Sequence, residues 1–434
     1  LGSCSGLTSI IVEEGNPQYN SRDNCNAIIK TDSNALVQGC RNTVIPSDVT
    51  SIGGDAFSDC SGLISVAIPD SVTEIGKRAF YNCNNLTGVM EIPEGVVRIQ
   101  DKAFYNCSGL SGINFPASVA QIIYQPTAGG FGGAFYGCTG LKSIKVDAGN
   151  KTYDSREGCN ALIETESNTL ILGCENTVIP EGITTIAKYA FYGCKGLTSL
   201  HIPASLTAME YVGGMPFIPS VGPFVGCVRL ERITVDAKNP VYDSRGGCNA
   251  LIETKTNTLI LGSKDTVIPE SVTSIKARAF QIGGISSITI PAGVASIEDG
   301  AFSIKPDLII YGVSGTEAER YANKCKVKFI PVSEDISKAS IVLSQTSYIY
   351  DGTAKAPSVT VALDGKTLTL NTDYIVAYSD NINVGTAKVT VAGKGNYTGS
   401  KTAEFTITKA AEEPKKADIS KASVTLSPTS YAYD

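Results

Sequence analysis

A repeat of 22 to 24 residues constrains the fold of this 434-residue chain more than any other feature of its sequence. The stretch VIPSDVTSIGGDAFSDC at 44–60 recurs as VIPEGITTIAKYAFYGC at 178–194 and, in shorter form, as VIPESVTSIKARAF at 267–280. In the first four copies the proline recurs at intervals of 23, 24 and 23 residues. A unit this short cannot bury its own apolar side, so the sequence predicts a solenoid in which each copy covers the next.

Each part of the unit L-x-x-I-x-I-P-x-x-V-x-x-I-x-x-x-A-F-x-x-C has a physical reason, as the copy at 63–83 shows. Val66 and Ile68 alternate as a short strand with one buried face requires, and Pro69 has no N–H with which to continue the sheet. The Ala-Phe pair is predicted to lie on a single helical turn, with the phenylalanine ring between layers. Cys83 is predicted to be a small buried apolar residue.

Each copy is called a rung here. Rungs stacked about 4.8 Å apart align their strands in one parallel sheet along one side of the solenoid. The pattern identifies twelve rungs within residues 1–331 by their strand residues: Leu7, Val44, Leu63, Leu86, Leu110, Leu141, Val178, Leu197, Leu230, Val267, Ile285 and Leu308.

The repeat unit resembles the leucine-rich repeat of BspA-like bacterial surface proteins over about residues 1–331. The resemblance implies a curved, right-handed leucine-rich repeat solenoid with a parallel β-sheet and short helical turns. It also implies export, display on the cell surface, and adhesion to host or matrix proteins.

The pattern changes at residues 314–331, SGTEAERYANKCKVKFIP. Thr316 and Glu319 are spaced as a capping box, and the apolar residues after them follow helical spacing. We therefore expect a helical cap that lies over the last rung and shields its core from water.

A second, all-β region follows the cap. Residues 340–408 alternate with period two, and the region 336–409 resembles the bacterial Ig-like modules that form stalks in surface proteins, which implies a small β-sandwich. Residues 410–418 have the composition of a charged linker. Residues 419–434 repeat the beginning of the Ig-like region, so they are interpreted as the truncated start of a second module.

Three rungs carry an extra segment, at 16–46, 150–180 and 239–269, in which two apolar runs flank a polar tetrad and predict a hairpin. The second and third segments contain an Asp-Ser-Arg sequence. Its acidic and basic groups could form a metal or anion site, but a turn in which the aspartate caps backbone amides is the favoured interpretation.

Two other rungs carry insertions, at 122–135 and 209–224, each just before a hairpin rung. Their aromatic side chains are expected at the surface, where they either cover the adjacent hairpin or contact a partner, and cover is favoured. These loop aromatics are Tyr124, Phe131, Tyr211 and Phe217.

The thirteen cysteines and the single histidine argue against metal sites and catalysis. Most cysteines occupy one rung position, as buried packing residues would, and the total is odd. The third hairpin has Cys248 and Ser263 where the others have two cysteines, so no disulfide is expected. A zinc site is not expected, because no C-x-x-C spacing occurs and His201 is the only histidine. A Ser-His or Cys-His pair would need His201, which is predicted on the open face of a strand away from any recurring Ser or Cys nucleophile, so the chain is predicted to be no enzyme and to need no cofactor.

Charge and hydropathy limit the partners. The net charge is −6 without a basic cluster, which argues against nucleic acid, and no apolar run reaches the roughly 20 residues of a membrane helix. Both ends divide repeating units, so we expect a signal and an anchor outside this sequence. The predicted protein is extracellular, monomeric and displayed on the cell surface.

The remaining candidate is the concave face formed by the outward strand positions, which suits docking of a protein or glycan; a merely solvated face is the alternative. The leading hypothesis is adhesion to a host, matrix or cell-surface protein, with the Ig-like modules as stalk. One alternative is glycan binding through the loop aromatics, and another is a purely structural surface component. The face residues are Glu91, Asn114, Lys142, Lys145, His201, Glu231, Arg232 and Thr234.

Overall fold

The computed structural model consists of short strands and turns, with one α-helix, Glu317–Cys325, among the residues it describes. These residues are 6–123, 132–211, 222–281, 285–303, 307–332, 334–363, 365–395, 397–410, 419–425 and 427.

The strand segments of successive rungs pair in parallel, as the repeat predicts; this series of pairings is called the strand ladder. Its residues alternate between the core and the surface, so one face of each strand packs inward. The segment around Leu63, where a strand is expected, has no assigned strand, although the Thr87 N–H of the next rung donates to the Ile64 carbonyl oxygen at 2.9 Å. The ladder contains three open parallel sheets: Gly88–Glu91, Leu110–Phe115 and Ser143–Val146; Ser199–Ile202 and Arg232–Val235; Ser287–Thr289, Ile309–Gly312 and Lys328–Pro331.

The V-x-x-I segments after each proline form a second set of parallel pairings, the return ladder. Each strand has only two residues, whose isoleucine or methionine is buried in the core. These strands are Ser51–Ile52, Glu74–Ile75, Arg98–Ile99 and Gln121–Ile122; Thr185–Ile186 and Ala208–Met209; Ser274–Ile275 and Ser296–Ile297.

The three predicted hairpins are present, and each supplies the return strand of its own rung. The last hairpin strand pairs in parallel with the first two-residue strand, with Leu170 opposite Ile186 and Leu259 opposite Ile275. The hairpin is therefore part of the stacked core. Its strands are Tyr19–Asn20, Ala27–Lys30 and Ala35–Gly39; Tyr153–Asp154, Ala161–Glu164 and Thr169–Gly173; Tyr242–Asp243, Ala250–Glu253 and Thr258–Gly262, with one-turn 3-10 helices at Arg22–Asn24, Arg156–Gly158 and Arg245–Gly247.

Stacked phenylalanine rings fill the space between the ladders. The ring centroids of Phe57 and Phe80, and of Phe80 and Phe104, lie 5.1 Å apart, and Phe104 stacks on Phe135 at 5.4 Å. The first three rings are fully buried. Stacked pairs of this kind add about 0.5–1.5 kcal/mol each to the gain from burial. The recurrent Ala-Phe therefore joins neighbouring rungs.

The single helical turn predicted around Ala-Phe is wrong. Arg78 and Asn82 both have φ of 58°, in the left-handed region, so helical geometry is broken on either side of Phe80. The Phe80 N–H instead donates to the Ala103 carbonyl oxygen of the next rung, at 2.7 Å. Two consecutive turns thus present their backbone N–H and C=O groups to the neighbouring rung. Successive rungs are therefore joined by backbone hydrogen bonds on the turn side as well as in the strand ladder.

The rung cysteines are buried, and their thiols bond across rungs. The Sγ atoms of Cys83, Cys107 and Cys138 each lie 3.0 to 3.1 Å from the carbonyl oxygen of the preceding rung's phenylalanine. Burial raises the pKa of Cys83 to about 12, so the neutral thiol is the stable donor. All twelve cysteines that the structure describes are free.

Two rungs are placed differently from the sequence interpretation. Val44 and Val178, taken as strand residues, are 72% and 68% exposed. The next residues, Ile45 and Ile179, are buried instead. These isoleucines directly precede the proline, as the buried Ile68 does in its rung, so the inward position is unchanged and each valine lies one residue before it.

The helix Glu317–Cys325 lies over the last rungs, with Ala318, Tyr321 and Ala322 buried. The Tyr321 ring meets Phe302 edge to face at 5.6 Å and so ends the column of core rings. The predicted capping box is wrong in detail. The Glu319 carboxylate accepts from the Gly315 N–H at 2.7 Å, and the Thr316 hydroxyl donates to the Val313 carbonyl at 2.6 Å.

Residues 334–408 form a separate β module with its own core, which includes Val361, Tyr374, Val389 and Phe405. A four-stranded sheet faces a three-stranded antiparallel sheet and a two-stranded one. The strands are Glu334–Asp335, Ser340–Leu343, Ser347–Ile349, Val359–Leu363, Lys366–Thr367, Tyr374–Ser379, Gly385–Gly393, Tyr397–Thr398 and Ser400–Thr408, with 3-10 helices at Ile336–Lys338 and, beyond the module, Ile419–Lys421.

The β module contacts the solenoid, which the sequence does not indicate. The Thr390 hydroxyl donates to the Gly246 carbonyl oxygen in the third hairpin rung. The Thr289 hydroxyl donates to the Gly393 carbonyl at 3.4 Å. A cleft of about 100 Å³ remains between the two parts. The module therefore rests against the last third of the solenoid.

Candidate functional site: the strand face

The outward side chains of the strand ladder, which is divided among three sheets, are together called the strand face. Side chains alternate between core and surface along each strand, and only the outward ones belong to the strand face. Ile144 is fully buried, whereas its neighbour Lys145 is exposed. Parallel pairing in register then aligns equivalent outward positions of successive rungs, so Lys145 lies opposite Asn114. The strand face therefore displays one column of side chains for each outward position of the repeat.

The first polar pair on the strand face is Glu91 and Asn114, which are register partners on adjacent strands. The Asn114 Nδ2 group lies 2.8 and 2.9 Å from the two Glu91 carboxylate oxygens. Cross-strand pairs of this kind stabilise a sheet by about 0.2–1 kcal/mol. The bond also fixes the exposed carboxylate in one orientation.

His201 and Thr234 form a second cross-strand pair. They are register partners on Ser199–Ile202 and Arg232–Val235, and His201 Nδ1 lies 2.9 Å from Thr234 Oγ1. The imidazole is exposed. The structure thus brings together two residues that the sequence places 33 positions apart.

Ion pairs neutralise two of the predicted face residues. Lys142 Nζ lies 3.2 Å from a carboxylate oxygen of Glu175, and Lys264 Nζ lies 2.6 Å from one of Glu231. The hydrogen bond and charge of Lys264 lower the pKa of the Glu231 carboxyl. Exposed pairs contribute little stability, but they leave less net charge for a partner.

Lys145 and Arg232 differ from these residues. Both are exposed, and within the described part of the chain neither side chain lies within ion-pair distance of a carboxylate. They therefore give the middle of the strand face an uncompensated positive charge, although the whole chain is acidic.

The beginning of the strand face carries two exposed apolar side chains that are not among the face residues predicted from the sequence. Ile64 is 64% exposed and Val89 is 47% exposed. Ile64 directly follows the rung leucine, where other rungs have the polar residues Thr87 and Ser111. An apolar residue at this outward position is the sequence signal for the exposed patch. Exposed branched apolar side chains next to a polar surface are typical of an interaction site.

A family model described as the BspA type leucine rich repeat region matches six copies in this chain, at residues 35–156, 168–212 and 261–338. These residues make up more than half of the chain. The chain belongs to the BspA-type leucine-rich repeat family.

Several solved structures are similar to this BspA-type chain. A leucine-rich cell surface protein from Faecalibacterium prausnitzii is 24% identical and aligns over 70% of this chain and 76% of its own, with a TM-score of 0.42. The pneumococcal vaccine antigen PcpA is 17% identical over 75% of this chain and all of its own, with a TM-score of 0.34. A leucine-rich repeat protein from Bacteroides ovatus is 22% identical and aligns over 68% of this chain and 85% of its own, with a TM-score of 0.27. A search of curated proteins found no match.

The loop aromatics do not form an exposed patch at the one position that the structure describes. Tyr124, Phe131 and Phe217 lie outside the described residues. Tyr211 was expected at the surface, but its ring is half-buried against the core under the Lys276 ammonium, which lies 4.2 Å from the ring centroid. The ring lines a small cavity beside the third hairpin. Tyr211 therefore covers this hairpin.

The Asp-Ser-Arg segments are turns, as favoured from the sequence. Asp154 accepts hydrogen bonds from the Arg156 backbone N–H at 3.0 Å and from its Nε at 2.8 Å, and Asp243 binds Arg245 in the same way. Burial raises the pKa of Asp154, but the bonds and charge of Arg156 outweigh burial and lower the pKa overall. The arginine thus occupies the carboxylate that an ion would need.

Metal-ligating side chains do not cluster within the described residues of the BspA-type chain. No group of three or more metal-ligating side chains occurs there. His201 bonds a threonine hydroxyl on an open sheet. No enzyme family is indicated by the matches. In the same ranges, none of the helices has the length and hydropathy that a membrane span requires.

Proposed function

We propose that this chain is a non-enzymatic, monomeric cell-surface protein whose strand face binds a protein partner, as in adhesion to host or matrix proteins. Membership in the BspA-type family supports the location and the binding role. The observation that carries the proposal is the positive charge of Lys145 and Arg232, which no carboxylate within the described ranges neutralises.

The chemistry of the strand face defines the partner. Ile64 and Val89 offer apolar contact at one end, whereas Lys145 and Arg232 offer charge in the middle. A complementary partner combines an apolar contact with carboxylates at its rim. Charge complementarity of this kind accelerates association and excludes partners of like charge.

The test is binding of the full chain to purified host matrix proteins, measured by biolayer interferometry. A Lys145→Glu/Arg232→Glu variant should bind at least about tenfold more weakly, because it places like charges opposite the partner's carboxylates. The matched control is Lys151→Glu/Lys255→Glu, which makes the same change in net charge on exposed loops of two hairpin rungs. Equal affinity of the two variants, or no binding to any matrix protein, would contradict the proposal.

The β module is proposed to be a bacterial Ig-like stalk unit at 336–409, after a solenoid at 1–331 with its cap at 314–331. Two opposed groups of strands around one core support this assignment. We further propose that 410–418 is a linker and that 419–434 begins a second module. The sequence Ile-Ser-Lys forms a one-turn 3-10 helix both at Ile336–Lys338 and at Ile419–Lys421, which supports a repeated module start.

A further inference from the structure

Four tyrosines form a column on the turn side of the solenoid, away from the strand face. They follow the core phenylalanine in the sequence Ala-Phe-Tyr. The ring centroids of Tyr81 and Tyr105 lie 4.8 Å apart, those of Tyr105 and Tyr136 4.9 Å, and those of Tyr136 and Tyr192 4.1 Å. Since the rings stack on each other, their faces are covered, and the column presents ring edges and hydroxyl groups.

A row of amides lies beside the tyrosines. Asn82 Nδ2 donates to Asp59 Oδ1 at 2.7 Å, and Asn106 Nδ2 donates to Asn82 Oδ1 at 3.0 Å. Gly137 takes this position in the following rung. All four residues have positive φ between 58° and 80°, which explains why Asn, Asp and Gly occur here. Each bridging amide uses one N–H in the row and has a second N–H for another acceptor.

A third row completes a groove of about 530 Å³. Asn84, Ser108 and Thr139 form its outer wall, each one residue after the rung cysteine. None of these three requires the left-handed conformation, so the backbone does not account for their polarity. Of the four tyrosines, only Tyr192 lines the groove, so most of its polar groups come from the amide row and the outer row.

We propose that this groove binds a neutral glycan chain. Nearly every lining group is an amide or a hydroxyl, and the two charged residues, Asp59 and Lys195, lie at opposite ends. The five rungs involved give a groove roughly 20 Å long at the normal strand spacing. In an extended glycan, each sugar unit carries several hydroxyl groups. Successive sugars can therefore form the same hydrogen bonds with the side chains of successive rungs.

The lining disfavours other ligands. An apolar ligand would find no apolar side chain among Asn82, Asn84, Asn106 and Ser108, and the tyrosine faces are already stacked. A polyanion would meet a single cation, Lys195. Uncharged hydroxyl-rich chains are the ligands that satisfy amide and hydroxyl groups without a charge penalty.

The experiment measures binding of the full chain to linear neutral oligosaccharides that are long enough to span the groove, by glycan array and then calorimetry. A uronic-acid polymer is the charged comparator. The Asn84→Ala/Ser108→Ala variant should lose about tenfold in affinity, because it removes hydrogen-bonding groups from the outer wall. Tyr192→Phe should weaken binding by a smaller factor, since it removes one hydroxyl and keeps the ring.

Val228→Ala is the matched control, because Val228 also follows a rung cysteine but does not line the groove. It should bind as the native chain does, and circular dichroism should show that all variants are folded. Three results would overturn the proposal: no neutral glycan binds, the charged polymer binds better than the neutral chains, or Asn84→Ala/Ser108→Ala binds with native affinity. The strand-face variant Lys145→Glu/Arg232→Glu should retain glycan binding, which separates this site from the proposed protein site.

Discussion

Asn150 joins the second hairpin rung to the rung before it, and its removal should destabilise the solenoid strongly. The residue is 9% exposed. Its Nδ2 donates to the carbonyl oxygens of Pro116 and Val119 at 2.8 and 2.9 Å. Its Oδ1 accepts from the N–H groups of Thr152 and Tyr153 at 2.9 and 2.8 Å. One side chain thus satisfies four backbone groups in two rungs.

Asn150→Ala leaves these four groups without partners. At about 1 kcal/mol for each lost bond, with some replacement by water, the free energy of unfolding should fall by about 3 kcal/mol. Asn16 is the matched control, since it occupies the same position in the first hairpin rung but is exposed and accepts only two bonds, from the N–H groups of Gln18 and Tyr19. Asn16→Ala should cost about 1 kcal/mol.

Urea denaturation followed by far-ultraviolet circular dichroism measures the difference between the two variants. The midpoint for Asn150→Ala should lie clearly below that for Asn16→Ala, with a similar slope. Equal midpoints, or a loss below about 1 kcal/mol for Asn150→Ala, would refute the role of this side chain as a bond between rungs.

Two further predictions concern the cysteines and the hairpin turns. Among the twelve described cysteines, iodoacetamide should label the half-buried Cys325 first. Mass spectrometry should find the rung thiols labelled only after unfolding, because burial raises the pKa of thiols such as Cys83. Labelling of folded rung cysteines at the rate of the unfolded chain would contradict this prediction. Because the folded-state pKa values of Asp154 and Asp243 are lowered, the stability they contribute is present above the ordinary value of 3.8 and is lost as the pH falls through their folded pKa. The stability deficit of Asp154→Asn/Asp243→Asn, measured by denaturation, should therefore shrink below pH 3.8, and a deficit independent of pH would count against the ion pairs.

The repeat predicts the parallel ladders and the buried column of phenylalanines because spacing alone determines which residues stack. It does not predict the turns around them. The left-handed conformation at Asn82 agrees with the residue type, but the same conformation at Arg78 has no signal in the sequence. Ala-Phe spacing fits a helical turn equally well, so backbone bonding between rungs becomes visible only in the structure.

The candidate site was predictable in part. Alternation along the strands identifies Lys145 and Arg232 as outward residues. Their charge is significant only because other lysines are paired, and the pairing of Lys264 with Glu231 joins residues 33 positions apart through the stacking of rungs. The tyrosine column could have been found, since Ala-Phe-Tyr recurs in four rungs, but its adjacent groove depends on turn geometry.

The single histidine gives the most direct test of the strand face as the protein-binding surface. His201 lies on this face, so ¹³C-labelled histidine yields one imidazole signal that reports on it alone. Addition of a matrix protein that the full chain binds should shift or broaden this signal, and the Lys145→Glu/Arg232→Glu variant should show the change only at higher partner concentrations. A signal that stays unchanged when binding is saturated would place the partner elsewhere and contradict the account.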